Sequence, residues 1–310
     1  MSLAIGLVGL GAIARAQHLP ALEQVDGVHL AALASRNATL PDLPCYPDID
    51  ALLAAQPDIG AISLCTPPQG RFDQAMSVLR AGRHLMLEKP PGATVSEVEA
   101  LREEAARRGL TLFASWHSRA AVAVDLARAW LAGQRLRAVQ IDWREDVRKW
   151  HPGQQWIWQA GGLGVFDPGI NALSILTAVL ADPVRLISAD LSVPEGRETP
   201  IAASLEMRAG AVPIGANFDW RETGAELWRI QFDTDEGRAT LDQGGARFAI
   251  DGRVQPAPDR SEYATLYARF RDLVARGERD VDVTPLRLVA DAFLCGRTQQ
   301  VEPFQEVPHG

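Results

Sequence analysis

The chain has 310 residues, 47% of them hydrophobic and 23% charged, with a formal net charge of -8 at pH 7 and a pI near 5.3. That composition suits a globular chain with two cored domains, and the acidic balance argues against nucleic acid or an anionic membrane as the main partner, leaving room only for a local basic pocket. No apolar run approaches the roughly 18 residues a membrane span needs, and the opening "MSLAIGLVGLG" lacks the basic stretch and cleavage site of a secretory signal, so a cytoplasmic protein is expected.

In chain order, the apolar run "LAIGLVG" at 3–9 ends in glycines and leads into a helical pattern through Leu22. "VHLAALAS" at 28–35 follows, then a proline-rich loop at 40–47. "DIDALLAAQ", "IGAISLCT", "RFDQAMSVLRAG", "HLMLEKP", "TVSEVEALREEAARRG" and "LTLFASW" continue the alternation of helix and strand. That alternation predicts βαβ units and a doubly wound parallel sheet. From about residue 136 the texture changes. "LRAVQIDWRED", "VRLISADLS", "IAASLEMRAG", "VPIGANFDWRE", "LWRIQFDTDEG", "GRATLDQ" and "ARFAIDG" read as successive strands with turns between them. They predict a largely antiparallel sheet covered on one face, followed by closing helices near 262–276 and 284–297. Cys45, Cys65 and Cys295 are too scattered for a disulfide framework, the histidines show no metal-ligand spacing with them, and the cysteines are expected to be small core residues.

"VGLGAIARAQHLP" places Gly9, Gly11 and Ala14 in a G-x-G-x-x-A arrangement after a predicted strand and at the start of a helix. In that context the pattern is a dinucleotide site: Gly9 for the tight turn, Gly11 for close approach of the pyrophosphate, Ala14 for packing of helix on strand. The second strand ends in "ASRN", where an NAD site usually carries a carboxylate for the ribose 2'-hydroxyl. Ser35 and Arg36 offer donors and a planar cation there, which favours NADP over NAD. Arg36 as a surface arginine stacking on adenine is the alternative.

The chain holds two lysines, Lys89 and Lys149, against 29 arginines. Lys89, in "HLMLEKPPG", falls at the C-terminal end of a predicted parallel strand, where ligands of open α/β sheets bind, and an amine in a tuned setting can exchange a proton near neutral pH. Lys149, in "REDVRKW", reads equally well as a solvated side chain. In "GGLGVFDPGINALSI", residues 161–175, Asp167 and Pro168 read as the N-cap and first residue of a helix. Ile170, Leu173, Leu176 and Leu180 would form one apolar stripe, and Asp167, Asn171, Ser174 and Ala178 a second, small and polar one. The glycines at 161, 162 and 164 would let backbone approach a ligand.

Taken together, "GLGAIARAQHLPAL", "LCTPP", "GRHLMLEKP" and "GGLGVFDPGINALSI" resemble the glucose-fructose oxidoreductase, inositol dehydrogenase and MocA (Gfo/Idh/MocA) family of NAD(P)-dependent oxidoreductases. "LEKPPGAT", "WHSR", "REDVRKWHPGQQWIW" and "DVDVTPLRLVADAFL" are similar to its bacterial branch that oxidises L-arabinose and D-galactose at C1, and the likeness covers nearly the whole chain. The resemblance implies an NADP-binding Rossmann domain over 1–120 and a substrate-binding α+β domain over 121–310, whose open antiparallel sheet commonly packs against another subunit, hence a homo-oligomer. It implies cofactor contacts at Gly9, Gly11, Ala12, Ile13, Ser35, Arg36, Cys65, Thr66, Pro67, Pro68, Glu88 and Lys89. Lys89 and Asp167 become the catalytic candidates, with Lys89, His117, Glu145, His151, Asp167 and Asn171 as sugar ligands.

Two of these keep a structural alternative: Glu145 could pair with Arg144 or Arg148, and His151 could be a plain loop histidine before Pro152. Asn171 departs from many relatives, which carry a histidine there. A neutral amide accepts no proton in catalysis, so it is left to hydrogen-bond sugar hydroxyls while Asp167 or Lys89 takes the proton. One or two of Trp143, Trp150, Trp156 and Trp158 could stack on a pyranose face. Two rivals remain open: a relative acting on another sugar or polyol, and a non-catalytic NADP-binding regulator, against which the presence of both Lys89 and Asp167 argues.

Overall fold

The computed structural model describes residues 2–305; Met1 and residues 306–310, which the expected domain limits include, lie outside the described residues. The chain divides into two compact units, one running to Ala120 and including Arg260–Val283, the other formed by Ala121–Asp259 and the segment from Thr284 on. The expected second domain, 121–310, therefore gives up residues 260–283 to the first unit.

In the first unit, strands β1 (Leu3–Val8), β2 (Val28–Ala34), β3 (Cys45–Tyr46), β4 (Ala61–Leu64), β5 (His84–Glu88) and β6 (Leu112–Ser115) form a sheet in the order β3-β2-β1-β4-β5-β6. Every pairing is parallel. The helices between them are α1 (Leu19–Gln24, preceded by a π-helical turn Ala14–His18), α2 (Ile49–Ala55), α3 (Arg71–Arg80) and α4 (Val95–Arg107). Helix α4 starts at a capping box, with Thr94 accepting from Glu97 N–H and the Glu97 carboxylate reaching back to the Thr94 amide. Helices α2, α3 and α4 pack on one face through Leu52, Val78, Leu79 and Leu101.

The other face holds Ala21 and Leu22 of α1 together with Tyr263, Leu266, Tyr267, Phe270 and Leu273. Those last five belong to α8 (Glu262–Arg276), whose buried positions recur at helical spacing. A parallel sheet has to be covered on both faces, and α8 does part of that covering, which explains why this late segment belongs to the first unit. Truncating Phe270, fully buried, should cost about 3–5 kcal/mol.

The second unit starts with α5 (Val124–Leu131), β7 (Leu136–Arg144), the short α6 (Val147–Trp150) and α7 (Phe166–Val179). Strands β8 (Val184–Pro194), β9 (Ala202–Ala209), β10 (Val212–Asp219), β11 (Leu227–Thr234), β12 (Gly237–Asp242), β13 (Arg247–Ile250) and β14 (Arg253–Val254) follow, then α9 (Thr284–Cys295) and β15 (Arg297–Val301). Their sheet order is β14-β13-β12-β11-β7-β10-β9-β8-β15. The pairings are antiparallel except β10 with β7 and β15 with β8. Strand β9 shows the two-faced pattern plainly: Ala203, Leu205, Met207 and Ala209 are buried, while Ser204, Glu206 and Arg208 are exposed.

Helix α7 has no clean polar stripe. Ile170, Leu173 and Leu176 are buried as expected, but so are Asp167 and Ser174, and Leu180 follows the helix rather than sitting in it. Among the described residues no helix is long and apolar enough to cross a membrane. The cysteines are not core residues: Cys45 and Cys65 are half-buried and Cys295 is exposed.

Candidate active site

In the first unit, the residues expected to hold a dinucleotide lie where the parallel strands end: Gly9 after β1, Ser35 after β2, Cys65 after β4 and Lys89 after β5. The order 3-2-1-4-5-6 reverses direction beside β1, and ligands of open α/β sheets bind at that place. Gly9 has φ +92°, and a Cβ there would press on the Cys65 and Thr66 backbone at 3.2 Å. A Cβ on Gly11 would meet nothing within 4 Å, so no protein atom demands a glycine at that position and the backbone is open to a phosphate. Gly11, Ala12, Ile13 and Arg36 are exposed, and Ala14 is fully buried beneath them. These residues fit a dinucleotide. Thr66 donates to Gln74 at 2.8 Å, and of the two prolines after it Pro67 is exposed and Pro68 buried.

Glu88 is a different case. Its carboxylate points into the unit's interior, 5% exposed, rather than toward a cofactor surface. It accepts from His18 Nε2 at 3.0 Å, from the Tyr263 hydroxyl at 2.8 Å and from the Lys89 backbone N–H at 2.9 Å. Burial opposes its charge, but the hydrogen bond and charge of His18 outweigh that, with help from the His117 charge and then the Tyr263 hydrogen bond, and hold it at about 2. Lys89 itself is half-buried. His117 sits in the same unit, stacked on Tyr263 at 5.5 Å and paired with Glu262 at 3.0 Å.

The second unit gathers Glu145, His151 and Asp167. Asp167 is not the N-cap of α7: the helix begins at Phe166, and Val165 precedes it without a side-chain cap. The first amides are satisfied by loop carbonyls instead, Phe166 N–H to Leu163 and Asp167 N–H to Gly164. This frees the Asp167 carboxylate to face His151 Nε2 at 3.2 Å, from the first turn of a helix, where the macrodipole favours an anion. Asn171, one turn on, is half-buried.

Gly162 and Gly164, before α7, serve the protein's own packing. A Cβ on Gly162 would stand 2.4 Å from the Trp156 carbonyl, and one on Gly164 would stand 2.3 Å from that of Pro200.

The state of His151 follows from its neighbours. Trp156 Nε1 can only donate, and does so to Gln154 Oε1 at 3.0 Å. That same oxygen lies 3.2 Å from His151 Nδ1, so Nδ1 carries a hydrogen. Nε2, facing a carboxylate, then requires a second one, and the pair holds a proton between Nε2 and Asp167 Oδ2.

Glu145 neither pairs with Arg144 or Arg148 nor stands at the surface. It is 4% exposed and accepts from the indoles of Trp220 at 3.2 Å and Trp228 at 2.9 Å. Burial raises it to about 7 against those two hydrogen bonds and the His151 charge, and the nearby Asp167 adds to the rise. Of the four clustered tryptophans, Trp143 and Trp158 are buried, Trp156 is half-buried and Trp150 is 44% exposed. Lys149 pairs with Glu226 at 2.5 Å on the surface.

Residue-by-residue reading of the sequence passes over His18, Tyr263, Gln154, Trp220 and Trp228. One signal was there: two of the chain's three tyrosines, Tyr263 and Tyr267, stand four apart in one helix.

The strand order and the glycine turn define a Rossmann-type dinucleotide-binding unit. A family profile described as an oxidoreductase family with an NAD-binding Rossmann fold matches residues 3–115. With the full-length likeness below, the chain belongs to the Gfo/Idh/MocA oxidoreductase family. It is 44% identical over 304 residues to galactose 1-dehydrogenase of Pseudomonas fluorescens, covering 97% of this chain and 98% of that protein. It superposes on the crystal structure of D-galactose-1-dehydrogenase from Rhizobium etli with a TM-score of 0.94 and 50% identity over 98% of both chains. A 3-ketoreductase from Actinomadura kijaniata, in complex with NADP and TDP-benzene, shares the fold at a TM-score of 0.84 and 19% identity, covering 97% of this chain and 100% of that one.

Proposed function

We propose that this chain is an NAD(P)-dependent aldose 1-dehydrogenase that oxidises D-galactose, L-arabinose or both, as pyranoses, at C1 to the aldonolactone, with NADP preferred. The observation that carries the substrate class is the likeness, over nearly the entire chain, to two galactose 1-dehydrogenases. L-Arabinose is D-galactose without its exocyclic CH2OH, and such a difference in one pocket is worth about 1–3 kcal/mol.

When bound, the nicotinamide supplies the hydride acceptor. The chain's own residues bind, orient and move the proton. Gly9, Gly11, Ala12 and Ile13 hold the pyrophosphate, Ser35 and Arg36 the 2'-phosphate, and Cys65, Thr66, Pro67 and Pro68 line the same sheet edge. Asp167 and Lys89 orient the sugar O1 and one of the two receives its proton, while His151, donating to Asp167, holds that carboxylate in place. Asn171 hydrogen-bonds sugar hydroxyls, and His117 is a further ligand. Glu145 acts at one remove, fixing the indoles of Trp220 and Trp228. Assembly into a homo-oligomer through the open sheet face, read by light scattering, and a cytoplasmic setting complete the reading.

The test is the rate of NADP and NAD reduction with D-galactose, L-arabinose, D-glucose and myo-inositol. Turnover of the first two with NADP favoured is expected; tight NADP binding with no sugar oxidised would leave a regulator in its place.

A further inference from the structure

Three backbone groups around Lys89 are fixed by two side chains, one from the preceding residue and one from α3. The Lys89 N–H donates to Glu88 Oε2 at 2.9 Å. The Glu88 and Pro90 carbonyls, one on each side of it, both accept from the guanidinium of Arg71, which is 2% exposed. The lysine is thus held at its root.

The Glu88 carboxylate cannot hold Lys89 unless it is held itself. Its other oxygen accepts from His18 and Tyr263. His18 is fully buried, and its hydrogens can be assigned. Tyr267 donates its hydroxyl to Ser63 at 3.2 Å, so at 2.8 Å from His18 Nδ1 it accepts. Nε2 faces the carboxylate, so both ring nitrogens donate and the ring is an imidazolium. Burial works against that charge, but Cys65, Tyr267 and Glu88 raise His18 well above the ordinary histidine value. His18 closes the π-helical turn that follows the glycine loop. One buried ion pair therefore ties the helix after the dinucleotide turn to the segment carrying Lys89.

We propose that His18 is a positioning residue for the dehydrogenase reaction: with Tyr263 it locks the Glu88 carboxylate, and through it the backbone from which Lys89 works. Neither His18 nor Tyr263 touches substrate in this account, and the proposal rests on the catalytic role given to Lys89. Displacing a reacting group by about 1 Å costs on the order of 100-fold in rate, so the effect belongs in kcat and not in binding.

The experiment compares Tyr263→Phe, His18→Gln, Lys89→Ala and the doubles of each of the first two with Lys89→Ala. Steady-state kinetics with NADP and sugar are combined with thermal melts to confirm folding. His18→Gln keeps one donor but no charge, and Tyr263→Phe deletes a single hydroxyl, so the second stays informative if the first misfolds. The expected result is a kcat lower by roughly 10-fold to 100-fold for His18→Gln and by a smaller factor for Tyr263→Phe. KM for both substrates should stay within about threefold of wild type if uniform binding is untouched. On the Lys89→Ala background neither change should lower the residual rate further, because residues acting through one another are not additive.

A folded Tyr263→Phe or His18→Gln enzyme with wild-type kcat, while Lys89→Ala is impaired, overturns the positioning role alone. So does a loss that adds in full on the Lys89→Ala background. A Lys89→Ala enzyme of wild-type rate overturns the functional reading, and this proposal with it.

Discussion

Glu88 and Glu145 begin alike: one ends a strand, the other directly follows one, and both are buried, at 5% and 4% exposure. One is held at about 2 and the other at about 7. Their partners account for the difference. Glu88 meets a buried imidazolium, a tyrosine hydroxyl and a backbone amide; Glu145 meets two neutral indoles, with the His151 charge nearby and the Asp167 carboxylate opposing it. Neutral donors and a charge offset by a like one do not make up for the loss of water around a carboxylate, whereas an opposite charge in direct hydrogen bond does. The comparison separates a fixed anchor in the first unit from a carboxyl poised to titrate in the second.

The severest break is to remove the candidate proton-handling group of each unit. Lys89→Ala and Asp167→Asn should each lower kcat by roughly 10²- to 10⁴-fold, read from initial rates at saturating sugar; either variant near wild type would remove that residue from the chemistry.

Glu88→Gln comes next. It leaves His18 charged and unpaired, at a cost of about 3–5 kcal/mol in denaturant unfolding. It should also erase an acid limb: with Glu88 far below its ordinary value of 4.5, wild-type stability is present above that value and lost as pH falls from about 4.5 toward 2.

Glu145→Gln sharpens the contrast because its sign is opposite. The folded protein keeps a proton on Glu145 that the unfolded chain has released, so wild-type stability declines as pH rises from 4.5 through about 7 and then levels. The variant should flatten that slope and lose about 1–3 kcal/mol for the indole N–H that meets an NH2. Thermal melts at pH 5, 6, 7 and 8 read this, and an unchanged slope would show that Glu145 does not titrate there.

Smaller effects concern selectivity. Arg36→Ala should reduce kcat/KM for NADP by about tenfold, as loss of a charged hydrogen bond would, while NAD changes little; equal losses would refute the 2'-phosphate role. Asn171→His should alter the galactose-to-arabinose ratio more than kcat, and an unaltered profile would contradict a sugar contact.

Much of the first unit was legible because its signals are local. Gly9, Gly11 and Ala14 announce their turn within six residues, and strand–helix alternation predicts a parallel sheet. The partners of Glu88 come from His18 and Tyr263, 70 and 175 positions away, and no local pattern links them. The same distance hid the membership of 260–283 in the first unit, although the helix itself was evident from its apolar spacing. Strand β15 is short, polar and exposed along most of its length, so it carries no hydrophobic alternation to read.

In the second unit, Asp-Pro imitates a helix cap, but the preceding loop supplies its own carbonyls. The glycines looked like a ligand approach because close contact between backbones leaves the same trace in a sequence as close contact with a ligand. Glu145 was visible only as a charged residue beside arginines; its tryptophans arrive from β11 and from just past β10.

The central claim, oxidation at C1 of an aldose, is tested most directly with D-galactose carrying deuterium at C1. The account predicts that deuterium appears on C4 of the reduced NADP, that kcat/KM falls by a primary isotope effect, and that the product is the galactonolactone. Reduced cofactor free of deuterium, or turnover confined to sugars oxidised at another carbon, would contradict it.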